Sequence, residues 1–333
     1  MQSRYMVHLA FLTDLTARRR KKIAEHRKRQ GQQGSVALIP VRVGGKMGYV
    51  DETGKSVIEP QFGFGWMFSE GLAQVLVGDM DTGKWGYIDN TGKTVIEPQF
   101  DLADEFSEGL ARVQTRHWLG GKWGYIDKTG RSVINPQFNE ARSFSEGLAA
   151  VRVGDWLTGK WGYIDKTGEL IMEPQFDLAN EFSEGLASVH FGKYGYADRA
   201  GKMVIEPQFD LAETFSEGLA AVRVRDGWGY TDKAGELVIE PQFDLAECFS
   251  EGLAAVRTRR WWVSTKWGYV DRAGASVIKP QFDDAGPFSD GLARVRIGGK
   301  PDRLGFITGG KRGFVDAAGN LDWDSRGDTI GDF

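Results

Sequence analysis

Apolar and polar residues alternate through short stretches of this chain, and the alternation returns at regular intervals. In GLAAVRV (residues 147–153), Ala149, Val151 and Val153 fall on one face and Leu148, Ala150 and Arg152 on the other, the period of two that a half-buried strand requires. At the Ala150 place other copies carry Gln74, Arg112, Ser188 and Arg294, whereas the Val151 place stays Val. The pattern predicts a strand with valine inward and its other face toward water. KWGYID (160–165) predicts a second strand, with Trp161, Tyr163 and Asp165 on one face and Ile164 opposite. VIEPQF predicts a third, ending near its proline or lying at a sheet edge, because proline cannot donate to a ladder. Between the second and third stands Asp-x-Thr/Ala-Gly, as in Asp127–Gly130 or Asp232–Gly235. Its Asp can bond backbone amides and its Gly can take the positive φ of a hairpin closure. In FDLANEF, Phe176, Ala179 and Phe182 are three apart, which predicts a single helical turn. One unit is thus expected to be three strands and a turn.

The unit recurs along most of the chain. Its aromatic-glycine head appears at Trp85, Trp123, Trp161, Tyr194, Trp228 and Trp267, with Met47 a weaker first copy and Arg312 a decayed last one. Intervals of 38, 38, 38, 33, 34, 39 and 45 residues belong to stacked repeats rather than to one globular core. From head to the Pro of PQF is always 13 residues, and from that Pro to the Gly of EGLA or DGLA always 11. From that Gly to the next head the gap runs 14, 14, 14, 9, 10 and 15, then 13 if Leu304-Gly305 is taken as the next head. All length variation therefore sits in one connection, as exposed loop tips allow and packed elements do not. The array covers residues 37–333 in about eight copies, the last degenerate. Decay at both ends suits units that cap an open stack. The expected architecture is an open β-solenoid-like stack of three-stranded units, with a closed β-propeller-like toroid as the alternative, since propeller blades need four strands.

The recurring G-K-W-G-Y-[IV]-D-x-[TA]-G-x-x-[IV]-[IM]-x-P-Q-F, followed by F-[SD]-[ED]-G-L-A, resembles the WG (or KWG) repeat family of bacterial proteins over about nine tenths of the chain. The resemblance implies a β-rich repeat scaffold with no agreed enzymatic activity.

Residues 1–36 stand outside the repeats. They hold a short apolar patch, VHLAFLTDL, and a basic run from Ala17 to Gly34; over residues 1–36 nine Lys/Arg stand against Asp14 and Glu25, for a charge of +7. The whole chain carries −4, so residues 37–333 carry −11. A partly helical or disordered extension is expected, able to touch a polyanion. The apolar part is too short and its charges wrongly placed for a signal peptide, and no stretch approaches a membrane span. The expectation is a cytoplasmic protein. The one cysteine, Cys248, excludes a disulfide framework and stands where other copies read Glu105, Ser143, Glu181 and Thr214, so it reads as a filler.

Chemistry is hard to find. The four His (His8, His26, His117, His190) have no metal-ligand spacing, and no phosphate loop, GxSxG or HExxH is present. No catalytic residue, metal or cofactor is expected. The eight-fold Asp (Asp51, Asp89, Asp127, Asp165, Asp198, Asp232, Asp271, Asp316) reads as a turn determinant rather than a row of acids. Trp85, Trp123, Trp161, Trp228 and Trp267 read as a stacking core between neighbours, each buried ring contributing about 2–3 kcal/mol. Function is expected where copies differ, in the loops that contribute Arg116, His117, Trp118, Trp156, Arg259, Arg260, Trp261 and Trp262, since Trp and Arg dominate binding hot spots. The expected role is a non-catalytic scaffold that binds a protein or peptide through these loops. The alternative is a glycan or cell-envelope module with exposed aromatics as sugar platforms.

Overall fold

A computed structural model describes residues 38–323 apart from 52, 116–119, 156, 259–264 and 302–306. Among the described residues there are strands and turns and no helix. The expected N-terminal helix lies outside them. Strands β1 (Ile39–Val43), β2 (Lys46–Val50) and β3 (Ser56–Phe62) form a three-stranded sheet in that order. Next come β4 (Phe64–Gly65), β5 (Leu72–Val77), β6 (Lys84–Asp89) and β7 (Thr94–Phe100), an antiparallel sheet ordered β4-β5-β6-β7. Later copies repeat this FDLA–GLA–KWG–PQF order at residues 102–138, 140–176 and 178–209, and residues 284–323 close the described array. In one place Leu237–Ala246 runs unbroken from PQF into FDLA, so residues 211–282 form one seven-stranded sheet.

Two expectations are corrected here. The unit has four strands rather than three, and the FDLA segment is the fourth rather than a helical turn. Leu102 and Ala103, for example, pair with Gln114 and Val113 of the following GLA strand. Four-stranded meanders are the blade unit of propeller folds, which moves the unit away from the three-stranded solenoid toward the alternative architecture. The all-β repeat itself stands as expected.

The chain divides into two compact units, one ending at Gln175 and one beginning at Phe176, and the same chemistry builds each. In the first, Leu72, Leu76, Trp85, Tyr87, Ile96 and Phe100 pack on Ala111, Val113 and Ile126 of the next repeat. In the second, Leu219, Trp228, Tyr230, Ile239 and Phe243 pack on Ala254, Val256 and Val270. The large-residue face of one repeat thus lies on the small-residue face of the next, and this is where the tryptophans were expected to be. Trp85, Trp161, Trp228 and Trp267 are buried, and Trp123 is half-buried.

Burial also corrects the GLA strand. Leu148, Ala149, Ala150 and Val151 are all buried, so both faces are covered rather than one facing water. Polar occupants of the Ala150 place, Gln74 and Ser188, are buried with it. A strand in mid-sheet between stacked neighbours has no wet face.

The glycine of each WG pair permits a close backbone crossing. A β-carbon on Gly86, Gly124 or Gly268 would stand 2.5 Å from the carbonyl oxygen of Ile96, Ile134 or Ile278. There the PQF strand bulges: Trp85 opposes Phe100 but Tyr87 opposes Ile96. Its proline occupies the bulge, where no ladder donor is needed. PQF runs through its proline as the outer strand of the four-stranded sheets, in line with the expected edge position.

Gly124→Ala forces β-carbon against backbone and is expected to destabilise by about 3 kcal/mol or more. Gly109→Ala, in open space but at φ 86°, should cost only about 1 kcal/mol. Urea midpoints of the two variants rank them.

Candidate functional site

Each repeat has two ends, and their chemistry differs. At one end lie the turn that follows KWG and the Ser-Glu-Gly turn that precedes GLA, since Leu72 opposes Asp89. Asp127 is an example of the first turn. Its Oδ1 accepts the Thr129 amide at 2.9 Å, the Thr129 hydroxyl at 2.6 Å and the Arg131 amide at 3.1 Å. The Thr129 bond leads the effects that hold Asp127 below the ordinary carboxylate range. The recurring Asp is the turn determinant expected of it.

The Ser-Glu-Gly turn is a two-residue hairpin: Ser69 and Leu72 exchange both backbone bonds, and Glu70 and Gly71 have φ of 51° and 89°, the type I′ signature. The Glu70 carboxylate accepts the Gly109 amide of the next repeat at 3.0 Å and pairs with Lys128 at 3.0 Å. Glu108 does the same with Gly147 and Lys166, and Glu184 with Gly218 and Lys233. Burial pushes Glu70, Glu108 and Glu184 up, but the lysine and the amide outweigh it and hold all three below the ordinary range. Ser69 Oγ donates to the Phe106 carbonyl at 2.7 Å, and Ser216 Oγ to that of Phe249 at 2.7 Å. This end is spent on joining repeats.

The other end carries the loops of variable length. In the 78–83 loop, Asp79 Oδ1 accepts the amides of Asp81 at 3.0 Å and Thr82 at 2.7 Å. In the 154–159 loop, Asp155 Oδ1 accepts those of Leu157 at 2.9 Å and Thr158 at 2.6 Å. The capped loops hold Met80 and Leu157 out in solvent at 68% and 72% exposure. At two other loops of this end, the Asp after PQF ties neighbours together. Asp210 pairs with Lys193 of its own repeat and accepts the Arg225 amide at 2.6 Å from the next loop; Asp283 pairs with Lys266 and accepts the Gly298 amide at 2.6 Å. Adjacent loops are therefore held side by side.

A model described as "WG containing repeat" matches residues 47–80, 85–116, 123–155, 161–192, 194–228, 228–259 and 267–300. The chain belongs to the WG-containing repeat family. No curated protein matches this WG-repeat chain. Among solved structures it is similar to one titled "Crystal structure of the eukaryotic initiation factor", 11% identical with a TM-score of 0.61, over 86% of this chain and 85% of that one. Weaker likenesses are to prolyl oligopeptidase B from Galerina marginata (11% identity, TM-score 0.48, 79% of this chain and 50% of that one) and to AztD from Citrobacter koseri (11%, 0.45, 86% and 93%). The first shows a shared fold and nothing of function.

The eight loop residues expected to bind, Arg116, His117, Trp118, Trp156, Arg259, Arg260, Trp261 and Trp262, lie outside the described residues. What the structure gives is the rigid base that carries those loops. Sequence reasoning missed the Ser-Glu-Gly lock. The signal was there: Glu rather than Asn before the turn Gly, and Lys128, Lys166 and Lys233 each directly after the KWG Asp. It also missed a variable cross-strand pair beside FDLA, an Asp104–Arg112 ion pair in one repeat and an Asn180–Ser188 hydrogen bond of 2.8 Å in another.

Because the carboxyls of Asp89, Asp127, Asp165, Glu70, Glu108 and Glu184 at the joining end sit below their ordinary range, the stability they add is present above that range and is lost as pH falls through it. Urea midpoints should be level from neutral pH to about pH 5 and drop below about pH 4. Burial, then nearby Glu213, push the Cys248 thiol up to about 11, so alkylation by iodoacetamide at pH 7.5 should be at least about tenfold slower in the native WG-repeat chain than after denaturation.

Proposed function

We propose that this WG-repeat chain is a non-catalytic scaffold of blade-like units that binds a protein or peptide through the loops joining its GLA and KWG strands. One observation carries the reading: the Ser-Glu-Gly end of the repeats is occupied by repeat-to-repeat bonds, while the loop end is built on capped, tethered bases and varies between copies. A surface that is rigid below and variable above suits recognition, because little ordering is left to oppose binding. The loop sequences contribute Trp and Arg, which suit a protein partner. Among the described residues no group of His, Cys, Asp and Glu is arranged to hold a metal ion, and no helix is long and apolar enough to cross a membrane. A cytoplasmic place for the protein belongs to the same proposal.

Replacing Trp118, Trp156, Trp261 and Trp262 together by Ala should abolish capture of a proteinaceous partner from lysate while leaving the urea midpoint within about 0.5 kcal/mol of the parent. Unchanged capture contradicts the proposal. Loss of retention on polysaccharide, with protein capture intact, moves the function to glycan binding.

A further inference from the structure

Among the described residues with a β-carbon, a positive φ occurs in the turns that precede the GLA strands and at one other place, Arg225, at 56°. Arg225 and Asp226 form the two-residue turn between strands Ala220–Val224 and Gly227–Thr231. Gly or Asn would take this conformation with less strain. The backbone of Arg225 is clamped from both sides: its amide donates to Asp210 Oδ2 at 2.6 Å, and its carbonyl accepts Arg223 Nε at 3.1 Å. Its side chain is exposed and makes no hydrogen bond or ion pair among the described residues. The strain therefore serves to present a guanidinium rather than to hold the sheet. Asp210 brings a second element to the same spot. Its other oxygen pairs with Lys193, which faces Phe191 across the single Gly192. Phe191 is 63% exposed, at a place where the other copies end this strand in Val, Thr or Ile. These two connections are also the shortest in the array, 9 and 10 residues from the EGLA Gly to the next head against 13 to 15 elsewhere, so little is left to order on binding.

We propose that Phe191 and Arg225, joined through Asp210, form a recognition site for an acidic peptide. The guanidinium takes an Asp or Glu carboxylate of the partner, and the phenyl ring takes an apolar side chain beside it. The inference rests on the reading of the loop end as a binding surface and names the partner's chemistry there. Charge selects the carboxylate. Arg223, Arg225 and Lys193 stand against Asp210 and Asp226, three cations to two anions, and the one positive charge left over matches a carboxylate better than a doubly charged phosphate. The planar fork of Arg225 suits a carboxylate held by two bonds. Arg and an aromatic ring side by side are the residue types that dominate binding hot spots, and both are set here on short turns fixed by a shared carboxylate.

The test uses the full chain and three pools of synthetic peptides that share a fixed Leu or Trp and carry, two positions away, a fixed Glu, Lys or phosphoserine. The proposal expects the Glu pool to be retained at least about tenfold above the Lys pool, and expects Arg225→Gly to remove that preference. Phe191→Ser should lower retention of the Glu pool as well. Glycine is at ease at φ 56°, so the Arg225→Gly variant should keep a urea midpoint equal to the parent's or higher. A lowered midpoint would make Arg225 part of the fold and overturns the proposal. Equal retention of the Glu and Lys pools, a Glu preference that survives Arg225→Gly, or stronger retention of the phosphoserine pool overturns it too. The scaffold reading is decided separately by the variant lacking Trp118, Trp156, Trp261 and Trp262: loss of capture there, beside an Arg225→Gly variant with unchanged peptide preference, overturns this site alone.

Discussion

A glutamate in the left-handed region holds one repeat to the next. Glu70, Glu108, Glu184, Glu217 and Glu251 all have φ between 51° and 54°, a conformation that costs a residue with a β-carbon roughly 1–2 kcal/mol. Asn or Gly would take it with less strain. The strain persists because the side chain is committed elsewhere: in each case the carboxylate accepts the amide of the next repeat's turn glycine, at 2.8 to 3.0 Å. Three of the five also hold a lysine of that repeat. The backbone turn that starts one GLA strand is thereby fixed to the turn that starts the next, and the tyrosine-bearing face of each sheet is set over the alanine and valine of its neighbour.

This division of labour explains where the chain is free to change. The turns at Glu70, Glu108, Glu184, Glu217 and Glu251 are each bonded to the next repeat, so an insertion there would break contacts to two repeats. The loops at the opposite end are closed by their own Asp caps, as in Asp79 and Asp155, or shortened to a single Gly192. Met80 and Leu157 in two of them stand out in solvent, and loop length changes at small entropic cost. Acidic side chains follow the same division: Glu70, Glu108 and Glu184 hold lysines and turn amides, Asp127 its own turn, and Asp210 and Asp283 the loop bases.

Much of this was legible before the structure. The constant 13 residues between the KWG head and the PQF proline follow from the bulge that carries PQF over the KWG glycine, where a β-carbon would meet backbone. The constant 11 to the next turn follows from Tyr87, whose hydroxyl donates to the Asp104 carbonyl at 2.7 Å while its ring lies on Phe106, a pairing that recurs at Tyr230, Glu247 and Phe249. The Asp turn and the buried tryptophans were readable from local chemistry. The fourth strand was not, because two residues are too few to show a period and Phe, Ala and Phe three apart imitate a helix. The GLA strand was misjudged for a related reason: Gln74 and Ser188 look like solvent positions, and only stacking by a neighbour buries them. The binding loops stay a matter of composition, since their tips lie outside the described residues.

Native-state hydrogen exchange addresses the repeat-to-repeat lock most directly. The amides of Gly109, Gly147, Gly218 and Gly252 stand in exposed-looking two-residue turns, yet each donates to a glutamate of the preceding repeat. They should exchange as slowly as the buried strand amides, through cooperative opening of neighbouring repeats. Exchange as fast as at the Met80 loop tip would mean that the turns are not joined, and would remove the basis for a rigid array with free loops.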